Sequence, residues 1–118
     1  MSYGQWRALH LVASSVLALL AIVHVGLTWP LYRSWTSDAV WFAGTGLGLF
    51  VLAGINLAYI GVEPCRQPTT KAIRIANYVM AAFGVAAFIA VPEPQAGVVL
   101  AALLGQAVAA PRTLPGAA

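Results

Sequence analysis

Four long apolar runs, separated by short connections that carry most of the charge, restrict this chain to a fold built in a membrane. The runs extend from about Ala8 to Trp29, Ala39 to Val62, Ile73 to Val91 and Ala96 to Ala110. A helix crosses the hydrocarbon core with about 20 apolar residues, within a range of about 17–25. The first three runs meet that length. The fourth, at about 15 residues, would rise only about 22 Å, so it either crosses where the bilayer thins or forms a re-entrant hairpin with the third. The expected fold class is therefore all-α: a polytopic four-helix transmembrane bundle forming one domain over residues 1–118.

Composition agrees with this. Only 8% of the residues are charged, where a soluble domain carries about a quarter, so this chain could not cover a water-facing surface. The net charge of +3 is spread between the apolar runs rather than clustered on one face, which removes the footprint needed for a nucleic acid. The first run is longer than the core of a secretory signal. It ends in Thr28-Trp29-Pro30 without a small-x-small cleavage site, so it reads as a retained span.

The connections fit a compact bundle. Pro30 should end the first helix, with Ser37 or Asp38 capping the second. Pro64 and Pro68 block continuation of the second helix, and Thr69-Thr70 offers a cap for the third. Pro92-Glu93-Pro94-Gln95 is a tight turn that makes the last two helices antiparallel neighbours. With four spans, Arg7, Arg66, Lys71, Arg74 and Arg112 share one side and only Arg33 lies on the other. The positive-inside rule then places both termini on the cytoplasmic side (N-in/C-in). Trp29, Tyr32, Trp35 and Trp41 would mark the outer interface, and Tyr3, Trp6, Tyr59 and Tyr78 the inner one. Cys65, the single cysteine, falls on the reducing side. It can form no internal disulfide, and its juxtamembrane place makes acylation or intermolecular contact the functional alternatives to an inert thiol.

Lipid supplies no hydrophobic drive for helix association, so packing falls to small residues. Gly44-x-x-x-Gly48 on the second run, and Gly97, Ala101, Gly105 and Ala109 at spacings of four on the last, are the candidate helix-packing positions. They serve either the bundle itself or a seam with a second copy or partner, the last run offering the better seam.

Polar groups at membrane depth are costly and so are candidate sites. His10, Asn56, Asn77 and Gln106 come one from each run and fall at similar depth near the cytoplasmic side. They form an expected polar intramembrane layer, either an interhelical hydrogen-bond layer or the lining of a pocket for a quinone, lipid or other small ligand. His10 and His24 are 14 residues apart, which on a helix is within about 40° of four full turns and about 21 Å along the axis. Both imidazoles therefore face one side of the first helix, one in each leaflet.

This pair resembles the paired histidines of membrane b-type cytochromes, where one helix holds axial ligands for two stacked haems. That resemblance implies His10 and His24 as haem b ligands. A bis-histidine iron takes two imidazoles, so a parallel homodimer would have to supply the others. More broadly, His10 to His24, Trp41-Phe42-Ala43-Gly44-Thr45-Gly46-Leu47-Gly48-Leu49 and Gly54-x-Asn56-Leu57 are similar to a group of small bacterial four-span membrane proteins. The similarity covers the first two spans. It implies the architecture and the inner membrane, and no activity.

Several classes are excluded. The first span has no carboxylate, so the proton-coupled chemistry of small multidrug exporters is missing. A lone cysteine removes a thiol-disulfide oxidoreductase, and there is no His/Asp/Glu cluster for a metal, no Ser-His-acid set and no nucleotide loop. The two halves do not repeat, as an inverted-repeat transporter would. Three functions remain: an accessory or structural subunit of a larger membrane complex, a haem- or quinone-binding redox protein using His10 and His24 as a homodimer, and a small transporter or channel. The expected partners are lipid and a second copy or larger complex, with no nucleic acid. No residue is assigned a catalytic or metal-binding role.

Overall fold

The computed structural model describes residues 1–60 and 67–114, leaving out the side chains of residues 67 and 68. Cys65, Pro64 and Arg66 lie outside the described residues. The chain forms four helices: α1 (Tyr3–Tyr32), α2 (Ser37–Tyr59), α3 (Gln67–Ala90) and α4 (Pro94–Thr113). Each is long and apolar enough to span a membrane, so the protein is all-α with four helices of membrane-spanning length and composition. The molecule extends 47 × 25 × 20 Å, and α1, at 30 residues, would by itself measure about 45 Å.

The helix ends correct several boundaries expected from the sequence. α1 runs two residues past Pro30, because a proline near the end removes only the one hydrogen bond its N–H would have donated back. Arg33 then stops the helix in the left-handed conformation (φ 53°), its N–H bonded to the Trp29 carbonyl at 2.8 Å. At the start of α1, Ser2 and Gln5 form a reciprocal capping box. The cap of α2 is Thr36, whose hydroxyl accepts from the Ala39 N–H, rather than Ser37 or Asp38. α3 begins at Gln67, ahead of the Thr69-Thr70 pair, with Pro68 in the first turn, where its missing N–H costs nothing.

The fourth helix differs most from expectation. Pro94 opens it, and it continues through Pro111 to Thr113, giving 20 residues and about 30 Å. That matches the hydrocarbon thickness of about 30 Å. The shortfall that left a re-entrant hairpin open came from ending the run at the last unbroken apolar residue.

Helix α1 packs along α2 and α4, α4 packs also along α3, and α2 touches α3 only lightly. The core is made by Leu17 and Ala21 of α1, Leu49, Leu52 and Ala53 of α2, Ala81 of α3, and Ala102, Leu103 and Ala107 of α4. Close approach occurs at three glycines. A Cβ at Gly46 would lie 2.7 Å from Val25 Cγ2, one at Gly84 2.8 Å from Leu103 Cδ1, and one at Gly105 3.1 Å from Ala13 Cβ. The outward surface is itself apolar, with Val12, Leu19, Ile22, Val79, Phe83 and Ile89 all exposed, as a face meant for lipid rather than water requires.

Candidate functional site

The start of α1, the end of α2, the start of α3 and the end of α4 gather at one end of the bundle, here the terminal end; the opposite end carries Arg33. The polar residues of the sequence converge near the terminal end. Asn56, on the buried face of α2, is their hub. Its amide nitrogen donates to the Leu52 carbonyl one turn back (2.9 Å) and to Asn77 Oδ1 on α3 (2.9 Å). Its oxygen accepts from Asn77 Nδ2 (2.8 Å) and meets His10 Nε2 on α1 (2.8 Å). The Leu52 carbonyl can only accept, so the orientation of the Asn56 amide is fixed. It follows that His10 Nε2 carries a proton. His10 Nδ1 lies 2.5 Å from the Thr113 hydroxyl of α4. One connected set of side chains thus ties all four helices together, and His10, Asn56 and Asn77 are fully or almost fully buried.

Gln106, the fourth residue of the expected layer, sits about two turns from Thr113 along α4, deeper in the bundle. It donates to Ser14 Oγ at 2.8 Å, while its own buried Oε1 has no partner among the described residues. The polar layer is therefore two levels: a four-helix network around Asn56 and an α1–α4 bond below it. Thr113 and Ser14 belong to it, although the layer expected from the sequence, which counted Ser14 only among the lesser polar residues at membrane depth, did not include them. Thr113 lay beyond the assumed end of the last span, and a serine on an apolar helix gives little signal by itself.

At the terminal surface the Arg112 guanidinium lies 4.3 Å over the Trp6 ring, joining the last turn of α4 to the first turn of α1. Nearby, Arg74 donates to the Leu114 carbonyl at 3.4 Å.

His24 is placed quite differently. Its ring stacks on Phe42 of α2, with centroids 3.6 Å apart and planes 19° from parallel. Its Nε2 is buried and has no hydrogen-bond partner among the described residues. Next to it, toward the Arg33 end, is a cavity of about 550 Å³ lined by residues of all four helices.

The paired-haem arrangement does not fit these residues. His10 is completely buried inside the bundle, where no second copy can reach it, and both of its ring nitrogens are engaged. Among the described residues no group of three or more His, Cys, Asp or Glu could hold a metal ion.

The candidate packing positions divide. Gly105 meets α1, and Ala109 is buried. Gly97 makes ordinary contact with Phe88 of α3. Ala101 faces outward. A Cβ at Gly44 or Gly48 would meet nothing within 4 Å among the described residues. The glycine that lets α2 approach α1 is Gly46, between them.

Set beside family models, curated proteins and solved structures, the chain matches none.

Proposed function

We propose that this chain is a multi-pass protein of a bacterial inner membrane, with both termini cytoplasmic, that serves as an accessory or structural subunit of a larger membrane complex. The observation that carries this reading is the closure of the polar network. His10, Asn56, Asn77 and Thr113 bond to one another across four helices, so this polar layer is occupied in holding the bundle. Interhelical hydrogen bonds of this kind fix packing.

The charge distribution supports the orientation, with Arg7, Lys71, Arg74 and Arg112 at the terminal end and Arg33 at the other. The partner face is that of α2 carrying Gly44 and Gly48, which the bundle leaves uncovered. Lipid tails gain nothing from a glycine pair, whereas a transmembrane helix of the partner can approach closely over it.

Blue-native electrophoresis of the chain gently extracted from its own membrane tests this. The native chain should migrate well above monomer mass, and Gly48→Leu should return it to monomer without lowering its melting temperature. Migration as a monomer from the start, or an assembly that Gly48→Leu leaves intact, would refute the proposal.

A further inference from the structure

The cavity at the Arg33 end is a separate feature from the polar layer, and its depth and its mouth say what could enter it. Its lining starts near the helix midpoints, at Leu20, Leu49 and Leu103, and reaches Leu31, Glu93 and Gln95 at the Arg33 end. The rise from Leu20 to Leu31 along α1 is about 16 Å, and half of a hydrocarbon core of about 30 Å is about 15 Å. The cavity therefore runs from the interface to the bilayer midplane, the depth that one alkyl chain takes up in one leaflet. Its volume of about 550 Å³ lies within the range of small-molecule sites, about 300–1,000 Å³.

The walls offer a ligand almost no polar contact. Thr45 directs its hydroxyl to the Trp41 carbonyl at 2.9 Å, and the buried Nε2 of His24 is inaccessible. Polarity is confined to the mouth, where Glu93 and Gln95 are both exposed. The Gln95 amide donates to the Glu93 carboxylate, which pairs with no cation among the described residues. No Lys or Arg lines the cavity. The charged residues at this end are Arg33, Asp38 and Glu93, so the end as a whole is negative. A phosphate or sulfate head would meet a like charge at the mouth, whereas an ammonium head meets its complement.

We propose that the cavity binds a single-chain amphiphile with an ammonium head, its tail lying among the four helices down to the level of Leu20 and Leu103 and its head at the Glu93 carboxylate. A phospholipid suits the site less well, because its phosphate would meet the same like charge. Binding alone is proposed, with no transport or chemical step, and it does not depend on assembly with a partner.

The probe is dodecyltrimethylammonium carrying a photoreactive diazirine at the end of its tail, added below its micellar concentration to the full-length protein in nanodiscs of zwitterionic lipid. Photolysis followed by peptide mass spectrometry should place adducts saturably at the inner end of the cavity, on Leu20, Leu49 and Leu103. At equal membrane-bound concentration, unlabelled dodecyltrimethylammonium should displace the probe about fivefold more readily than dodecyl sulfate, since the carboxylate attracts one head and repels the other. Glu93 precedes α4 as its cap residue without a side-chain cap bond, so replacing it removes no bond that starts the helix. Glu93→Gln should weaken probe binding about two- to fivefold, as loss of an exposed ion pair does, and Glu93→Lys should reverse the preference between the two heads. Adducts confined to outward-facing residues such as Leu19, Ile22 and Val79, equal displacement by the sulfate, or an unchanged preference in Glu93→Lys would each overturn the proposal. If a variant fails to fold, the wild-type adduct map and displacement ratio decide the matter by themselves.

Discussion

Replacing Asn56 by leucine is the most direct test of the polar layer as the element that closes the bundle. The change is nearly isosteric and suits lipid better, so a purely hydrophobic account predicts no loss. The structure predicts otherwise. Asn56 makes three interhelical bonds, one with His10 and two with Asn77, and interhelical bonds in membranes are worth about 0.6–1.7 kcal/mol each. Their removal should cost about 2–5 kcal/mol, with the upper part set by the buried His10 N–H and the Asn77 amide left without partners. Asn77→Leu removes two of those bonds and leaves Asn56 paired to His10 and Leu52, for a smaller cost of about 1–3 kcal/mol. The double variant deletes the amide pair as a unit, so it should cost clearly less than the two single changes added, a coupling expected only of residues in contact. Reversible unfolding in mixed micelles, followed by tryptophan fluorescence, measures all three. A cost below about 0.5 kcal/mol for Asn56→Leu, the size of an ordinary surface change, would refute the role assigned to this residue, as would strict additivity.

Other consequences can be checked separately. The fixed Asn56 amide requires the Nε2–H form of neutral His10, which long-range ¹⁵N–¹H correlations of the imidazole would show directly. Gly46→Ala places a Cβ 2.7 Å from Val25 Cγ2 and 3.3 Å from the Ala21 carbonyl and should destabilise by about 1–3 kcal/mol, as overpacking does. Gly44→Ala meets open space and should be neutral or stabilise by up to about 1 kcal/mol through helix propensity; thermal melts of both separate the two glycines. Trp6→Leu removes the ring under Arg112 and should cost about 0.5–1 kcal/mol, with Arg112→Gln giving no further loss in the double variant. Finally, a membrane-impermeant maleimide should reach Cys65 only from the cytoplasmic side, and labelling from outside would reverse the proposed orientation.

The helices were legible because lipid imposes one strong rule: every backbone polar group must be satisfied inside the segment, so an apolar run of the right length reads as a helix. The ends were less legible because the same runs say nothing about how far a helix projects beyond its apolar part. Pro111 illustrates this. It interrupts the hydropathy and looks like a stop, yet in the last turn it forfeits one bond and the helix carries Thr113 onward to His10. The depth of His10, Asn56, Asn77 and Gln106 could be counted along each run, but not which faces meet. Rotational setting depends on close contacts such as Gly46 with Val25 and Gly84 with Leu103, which only the assembled helices define. The Gly44-x-x-x-Gly48 spacing was the conspicuous pattern, and the glycine that packs is the one between them. The two histidines were read as a pair because they share a helix face, while their partners Asn56 and Phe42 set them to different tasks.

The cavity and the polar layer follow from one feature of the connectivity. α1 and α2 are joined by a short connection at the Arg33 end, and so are α3 and α4, which makes each pair a hairpin tied at that end. The hairpins meet mainly along α1 and α4. The remaining pair, α2 and α3, is joined by residues 61–66 at the terminal end, where the Asn56–Asn77 amide pair also bridges it. Toward the Arg33 end no side-chain hydrogen bond among the described residues joins α2 to α3. The cavity beside His24 lies toward that end and is lined by residues of all four helices. The bundle thus carries its hydrogen-bonded layer at the terminal end and its cavity at the Arg33 end.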